Sequence, residues 1–160
     1  MYRIGQGWDR HPLEAGRQCI LGGVEFLDSP VGPVGHSDGD AVCHAITDAI
    51  LGAASLGDIG SHFPDTDSRW AGANSLELLR EAVRLVQGKG FRVANVDCTV
   101  ITEQPVIAPH SAAMQDALAG ALQISVDRVS VKATRGEGLG PEGRGECVTV
   151  QAVALLMGEG

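Results

Sequence analysis

The chain ends on strand signals. Val129–Ala133 is a short strand-like run, and Cys147–Met157 alternates, with Val148, Val150, Ala152 and Ala154 at every second position. A period of two puts those four side chains on one face of a sheet, and the helical segments upstream are what can cover it. Tyr2–Gly7 and Arg92–Ile101 read as further strands, and Gln18–Leu21 and Val24–Phe26 flank Gly22-Gly23 as a hairpin. Ser37 followed by Asp40 resembles a capping box, after which Val42, Ala45, Ile46, Ala49, Ile50 and Ala53 recur at helical spacing. Asn74 with Glu77 opens a second helix, which carries Leu76, Leu79, Val83 and Val86 and stops at Gly88. Ser111–Leu122 is a third. Helices and strands in mixed order, closing on strands, predict an α+β fold. We expect one domain over residues 1–160, with a mixed β-sheet and helices packed on one face. The helix-free face then needs a cover, and self-association through the sheets is the usual one.

Two segments escape both periods. Leu56–Asn74 reads as a long loop, and loops of that length are usually functional. Gly136–Gly145 holds five glycines in ten residues, a composition that lets backbone approach a ligand closely. The first residues, Met-Tyr-Arg-Ile, run straight into a strand and read as neither signal nor transit peptide. No apolar run reaches the ~20 residues a membrane span needs, so the expectation is a soluble cytoplasmic protein. Cys19, Cys43, Cys98 and Cys147 lie far apart without a CxxC pair and read as reduced core thiols. The net charge of −8 argues against a nucleic-acid partner. It also means that any phosphorylated ligand must find its positive field in metal ions or backbone N–H groups.

Gly5-Gln6-Gly7-Trp8-Asp9-Arg10-His11 is the most informative stretch. In extended chain, residues two apart point the same way, so the Asp9 carboxylate and the His11 imidazole can reach one metal ion. His36-Ser37-Asp38-Gly39-Asp40 leads into the first helix, and His44 lies one turn inside it. Asp, His and His with one open position is a catalytic type of zinc site. The plainer readings are that Asp9 and His11 are surface polar residues and His44 a hydrogen-bonded core histidine. The start of the first helix, with His36 and Ser37 beside it, reads as an anion site, or else as ordinary capping. Asp58-Ile59-Gly60 and Phe63-Pro64-Asp65 carry carboxylates that can hydrogen-bond a polyol or simply face solvent. Glu137, after Lys132-Ala133-Thr134-Arg135-Gly136, is a plausible ligand of a hard metal ion or a surface acid. No nucleophile elbow, Walker motif or dinucleotide fingerprint is present.

Taken in register, the pieces resemble one family. G-x-G-x-D-x-H at Gly5–His11, Leu21-Gly22-Gly23-Val24, His36–Asp40 with His44, Leu56–Gly60, Phe63–Asp67, Lys132-Ala133-Thr134 and Gly143-Arg144-Gly145-Glu146 follow the order and spacing of the 2-C-methyl-D-erythritol 2,4-cyclodiphosphate synthases of the non-mevalonate isoprenoid pathway. The resemblance covers nearly the whole chain. It implies a homotrimer packed through its sheets, with active sites between subunits. It also implies conversion of 4-diphosphocytidyl-2-C-methyl-D-erythritol 2-phosphate to the cyclic diphosphate with loss of CMP. By the same resemblance Asp9, His11 and His44 hold Zn2+, and Glu137 holds a second divalent ion, Mg2+ or Mn2+. His36 and Ser37 contact phosphate; Asp58, Gly60 and Asp65 contact the methylerythritol unit. Thr102 to Ala108, with Ala133 and Thr134, form the cytidine pocket, and Arg144 belongs to the substrate-contacting set.

The chain departs from the family pattern at Val106, where a lysine is usual, and at Arg135, where a threonine normally steadies the transferring phosphate. Pro141-Glu142 is unusual in the glycine-rich loop. His36 and Arg135 are the expected catalytic residues, Arg135 as a replacement for the missing positive charge. The alternative is a zinc-binding trimeric paralogue with lost or hydrolytic activity.

Overall fold

The computed structural model describes residues 1–158. The first strand, β1 (Tyr2–Ala15), runs well beyond the expected Gly7, because its pairing with the last strand continues through His11 to Pro12. A hairpin of β2 (Ile20–Leu21) and β3 (Val24–Glu25) turns on Gly22-Gly23, both at positive φ, which is what a tight two-residue turn requires. β4 (Val31–Pro33) comes back to pair with the end of β1. Three helices follow: α1 (Ala41–Ala53), the short α2 (Ile59–His62) and α3 (Ser75–Gly88). Then come β5 (Phe91–Ile101), α4 (Ser111–Leu122), β6 (Val129–Thr134), the one-turn α5 (Gly140–Gly143) and β7 (Cys147–Gly158).

The main sheet has the order β4-β1-β7-β5-β6. β5 and β6 are parallel and joined across α4, and the other neighbours are antiparallel, so the sheet is mixed as expected. β7 lies in its centre. Val148, Val150, Ala152, Ala154 and Leu156 are buried under the helices, which is why this strand alternated so clearly. Ile46 and Ile50 of α1 are fully buried against that layer, each worth about 1.5–3 kcal/mol relative to exposure.

Two glycines decide how close α1 comes. A Cβ on Gly5 would sit 2.0 Å from the Ala49 carbonyl oxygen, and one on Gly7 would sit 1.8 Å from that of Ala45. The helix backbone therefore rests directly on β1, with no side-chain layer between them. Asp9 and His11 continue the face of Gly5 and Gly7 and point the same way.

Three expectations change. Ser37 is not the cap of α1: Asp40 is, accepting from Val42 N and Cys43 N at 3.1 Å each. The same buried carboxylate accepts from Gly22 N at 2.8 Å and Gly23 N at 2.7 Å, tying the hairpin to the helix. The start of α1 is thus filled by the protein's own carboxylate and is not an open anion site, because a nearer acceptor satisfies its free N–H groups. Residues 56–74 are not featureless: Asp58 caps α2, and Asp67 caps a 3-10 turn at Ser68–Trp70. Elements this short carry no readable period.

The other face of the sheet has no helix. Tyr2, Ile4, Trp8 and Val153 are exposed there, at 68%, 73%, 47% and 41%. Gln6, Arg10 and Thr149 share that face by register.

Candidate active site

Asp9 and His11 extend from β1, and His44 reaches across from α1 because the two backbones are in contact. The Asp9 Oδ2 atom lies 2.8 Å from His11 Nε2 and 3.1 Å from His44 Nδ1. The two imidazole nitrogens are 3.1 Å apart. Three donor atoms within 4.8 Å of one another, on partly buried side chains, form the one cluster of metal-ligating type found among the described residues. His11 Nδ1 donates to the Val34 carbonyl at 2.6 Å, so its Nε2 keeps a lone pair facing the cluster. His44 Nε2 lies 2.8 Å from Ser75 Oγ and 3.0 Å from Ser37 Oγ. Burial opposes charge on both Asp9 and His11, yet their mutual hydrogen bond and attraction win. The Asp9 carboxyl is held well below the usual carboxylate range and the His11 imidazole is raised. A carboxylate and two imidazole nitrogens converging on one point fit a divalent cation.

The cluster opens on a cavity of about 430 Å³. His11, His36, Ser37, His44, Gly60 and Asp65 line it, together with Phe63 and Trp70. Asp48, one turn beyond His44 on α1, accepts from Ile59 N at 2.7 Å and so fixes the start of α2 against the same helix. Asp58 lies outside the lining: its carboxylate caps α2 and accepts from Ser61 N at 2.8 Å and Ser61 Oγ at 2.6 Å.

The remaining expected residues gather elsewhere. Ala108, Ala133, Thr134 and Arg135 line a second cavity of about 160 Å³ with Thr102, Glu103 and Val106. It shares no lining residue with the first. Glu137 is exposed at the loop crest, at φ +54. Arg144 is exposed and paired with Glu146 at 2.7 Å, outside both linings. The structure therefore assembles the metal-type cluster with His36 and Ser37, and leaves Ala108, Ala133, Thr134 and Arg135 apart from them within one chain.

Two comparisons bear on the family and one on the fold. The YgbB family model matches residues 2–157. The 2-C-methyl-D-erythritol 2,4-cyclodiphosphate synthases of Gloeobacter violaceus and Laribacter hongkongensis are 54% and 57% identical over 154 residues, covering 96% of this chain and 94% of each relative. The chain belongs to this family. It also matches a bifunctional enzyme IspD/IspF of Albidiferax ferrireducens at 55% identity, spanning 97% of this chain but 37% of that protein. A solved synthase of the family, in a form bound to CDP, superposes with a TM-score of 0.89 at 43% identity, covering 97% of this chain and all of that one. The Plasmodium falciparum IspF–CDP complex superposes at 0.87 with 34% identity, covering 99% of this chain and 97% of that one.

Within this cyclodiphosphate synthase fold, several residues went unread in the sequence. Ser75 looked like an ordinary first residue of a helix, yet it is fully buried against His44. Asp48 looked like a polar residue on an amphipathic helix. Trp70 had a signal that could have been used, since a tryptophan amid Asp, Ser and Gly in a polar loop usually covers something apolar. Here it packs edge-on against Phe63, with ring centroids 5.2 Å apart.

Proposed function

We propose that the chain converts 4-diphosphocytidyl-2-C-methyl-D-erythritol 2-phosphate to 2-C-methyl-D-erythritol 2,4-cyclodiphosphate with release of CMP, as a phosphorus–oxygen lyase of the non-mevalonate isoprenoid pathway. One observation carries the reading. Asp9, His11 and His44 meet at the wall of a cavity shared with His36, Ser37, Gly60 and Asp65, in a chain that matches synthases of that name along 96% of its length.

A 2-phosphate oxygen of the substrate forms the new bond to the β-phosphorus. The bond from that phosphorus to the oxygen bridging to the α-phosphate breaks, and CMP leaves with the electron pair. The nucleophile is already an anion, so no general base is needed. The work of the residues is positioning and charge neutralisation. His36 and Ser37 orient the transferring phosphate. Gly60 and Asp65, with Asp58 at the head of α2, direct the methylerythritol hydroxyls. Ala133, Thr134 and the 102–108 segment with Ala108 hold the cytidine, and Arg135 and Arg144 bring positive charge to the phosphates. Asp9, His11 and His44 would hold Zn2+, and Glu137 would hold Mg2+ or Mn2+; bound there, the two ions supply the positive charge that a chain of net charge −8 lacks.

The chain acts as a single-domain subunit of a homotrimer with active sites between subunits. Two features favour this: the helix-free face carries exposed Tyr2, Ile4, Trp8 and Val153, and the two cavities have no residue in common, so a complete site needs a second copy. Light scattering should report about three times the 16.6 kDa chain. We place the enzyme in the cytoplasm, working on a nucleotide-linked small molecule and without a nucleic-acid or membrane partner; among the described residues no helix is long and apolar enough to cross a bilayer.

Phosphorus NMR of the CDP-linked substrate with protein and Mg2+ tests the reaction. CMP and a cyclic diphosphate are expected. Inorganic phosphate would identify a hydrolase on the same scaffold, and an unchanged substrate a binding protein.

A further inference from the structure

His44 can serve the Asp9–His11 cluster only through Nδ1, since that is the nitrogen facing it. An imidazole nitrogen ligates a metal only with its lone pair free, so the proton must sit on Nε2. What surrounds Nε2 is therefore decisive. Ser75 Oγ lies 2.8 Å from it, and Ser75 is fully buried. A serine hydroxyl can donate or accept, so by itself it does not choose the tautomer.

Asp38 makes the choice. Its Oδ1 lies 2.5 Å from Ser75 Oγ, and its Oδ2 accepts from Ser75 N at 2.9 Å. A carboxylate only accepts, so the Ser75 hydroxyl proton must point at Asp38. The remaining lone pair of Ser75 then faces His44 Nε2 and can only accept from it. Oδ1 also accepts from Asp40 N at 3.1 Å, which holds the carboxylate in place beside the cap of α1. Ser37 Oγ, 3.0 Å from Nε2 and 3.3 Å from Ser75 Oγ, sits as a second acceptor on the same proton.

We propose that Asp38 and Ser75 are positioning residues that fix the tautomer of His44 through a directed chain of hydrogen bonds, Asp38 from Ser75 and Ser75 from His44, and so set the affinity of the Asp9–His11–His44 cluster for a divalent cation. The inference rests on the metal reading above and deepens it. Both histidines of the cluster are then locked in the same sense, His11 by the Val34 carbonyl and His44 by a carboxylate one hydroxyl removed. Carboxylates and carbonyls behind metal-bound histidines orient the ring and raise its basicity, and losing one costs about 10- to 100-fold in metal affinity.

The test is Zn2+ competition against a chromogenic chelator at fixed pH, on the intact protein and on Ser75→Ala and Asp38→Asn. Alanine is well tolerated in the first turn of a helix, and circular dichroism checks the fold. We expect Ser75→Ala to bind Zn2+ about 10- to 100-fold more weakly than the parent. Asp38→Asn keeps the shape but places a donor in the carboxylate's position, so it should also weaken binding. Nitrogen-15 NMR of imidazole-labelled, metal-free protein supplies the second readout. The parent should show His44 with its proton on Nε2, and both variants should shift towards a mixture of tautomers. A folded Ser75→Ala that binds Zn2+ within about threefold of the parent and keeps the parent's tautomer overturns the relay alone. A parent that binds no Zn2+ overturns the metal reading and the relay with it.

Discussion

The metal corner and the glycine-rich loop carry the two sides of the proposed site, and they are built by opposite means. At the corner, Asp9 and His11 stand on a 14-residue strand, His44 on a 13-residue helix, and the two backbones touch through Gly5 and Gly7. Each histidine has a further partner behind it. In the loop, Arg135 and Glu137 are exposed and have no side-chain hydrogen bond or ion pair among the described residues. Side-chain hydrogen bonds tie the loop down near its start and near its end. Glu103 accepts from Gly136 N at 3.0 Å near its start. Near its end, Glu142 accepts from Arg10 at 2.5 Å and Thr149 at 2.6 Å. A metal demands fixed distances and draws its ligands onto regular elements. In the proposed reaction the loop's charges meet a ligand that brings its own oxygens, and such charges can wait on a loop.

His44→Ala should give the largest effect. Metal content should fall from about one Zn2+ per chain to near none by elemental analysis, and turnover by at least ~10²–10³-fold. Full Zn2+ occupancy in that variant would show that the corner is not the metal site.

Gly7→Ala should come next and act on the corner without touching a ligand. A Cβ there would meet the Ala45 carbonyl oxygen at 1.8 Å, and backbone cannot step aside as a side chain can. Overpacking of this kind costs about 1–3 kcal/mol or more. Chemical denaturation should report that loss, together with weaker Zn2+ binding as α1 is pushed off β1. An unchanged midpoint would refute the close-contact account of the corner.

Arg135→Thr separates the two regions. If Arg135 reaches the transferring phosphate when substrate is bound, kcat should fall by about 10²-fold, the scale of one lost oxyanion donor, while Zn2+ content stays at the parent's value. A rate equal to or above the parent's would show that Arg135 faces solvent during turnover.

The smallest effect is expected from Glu142→Gln. It removes the charge that holds the loop end to Arg10 and Thr149, on the strand pair that carries Asp9 and His11. Amide exchange in residues 136–145 should quicken severalfold, KM should rise more than kcat falls, and metal content should not move. Unchanged exchange would mean that the one-turn helix α5 holds the loop unaided.

The main elements of this protein were legible in its sequence because each is long enough to display its period. Cys147–Met157 alternates since β7 is buried on one face, and Ser75–Gly88 begins at an asparagine cap and ends at a glycine as read. The pair Asp9 and His11 was legible too, because extended chain alone puts residues two apart on the same side. What the residue patterns left open were the relations between segments distant along the chain. The capping pattern pointed to Ser37, and the cap falls at Asp40 instead, where the neighbouring hairpin offers Gly22 N and Gly23 N to the same carboxylate. His44 is a core histidine or a ligand according to how near α1 comes to β1, which two missing Cβ atoms settle. Ser75 and Asp38 lie 37 residues apart and become one unit only when α3 docks behind α1. Periodicity and capping are local and therefore written in the sequence. The distance between two packed backbones, and the direction of a proton shared across them, arise only from the tertiary fold.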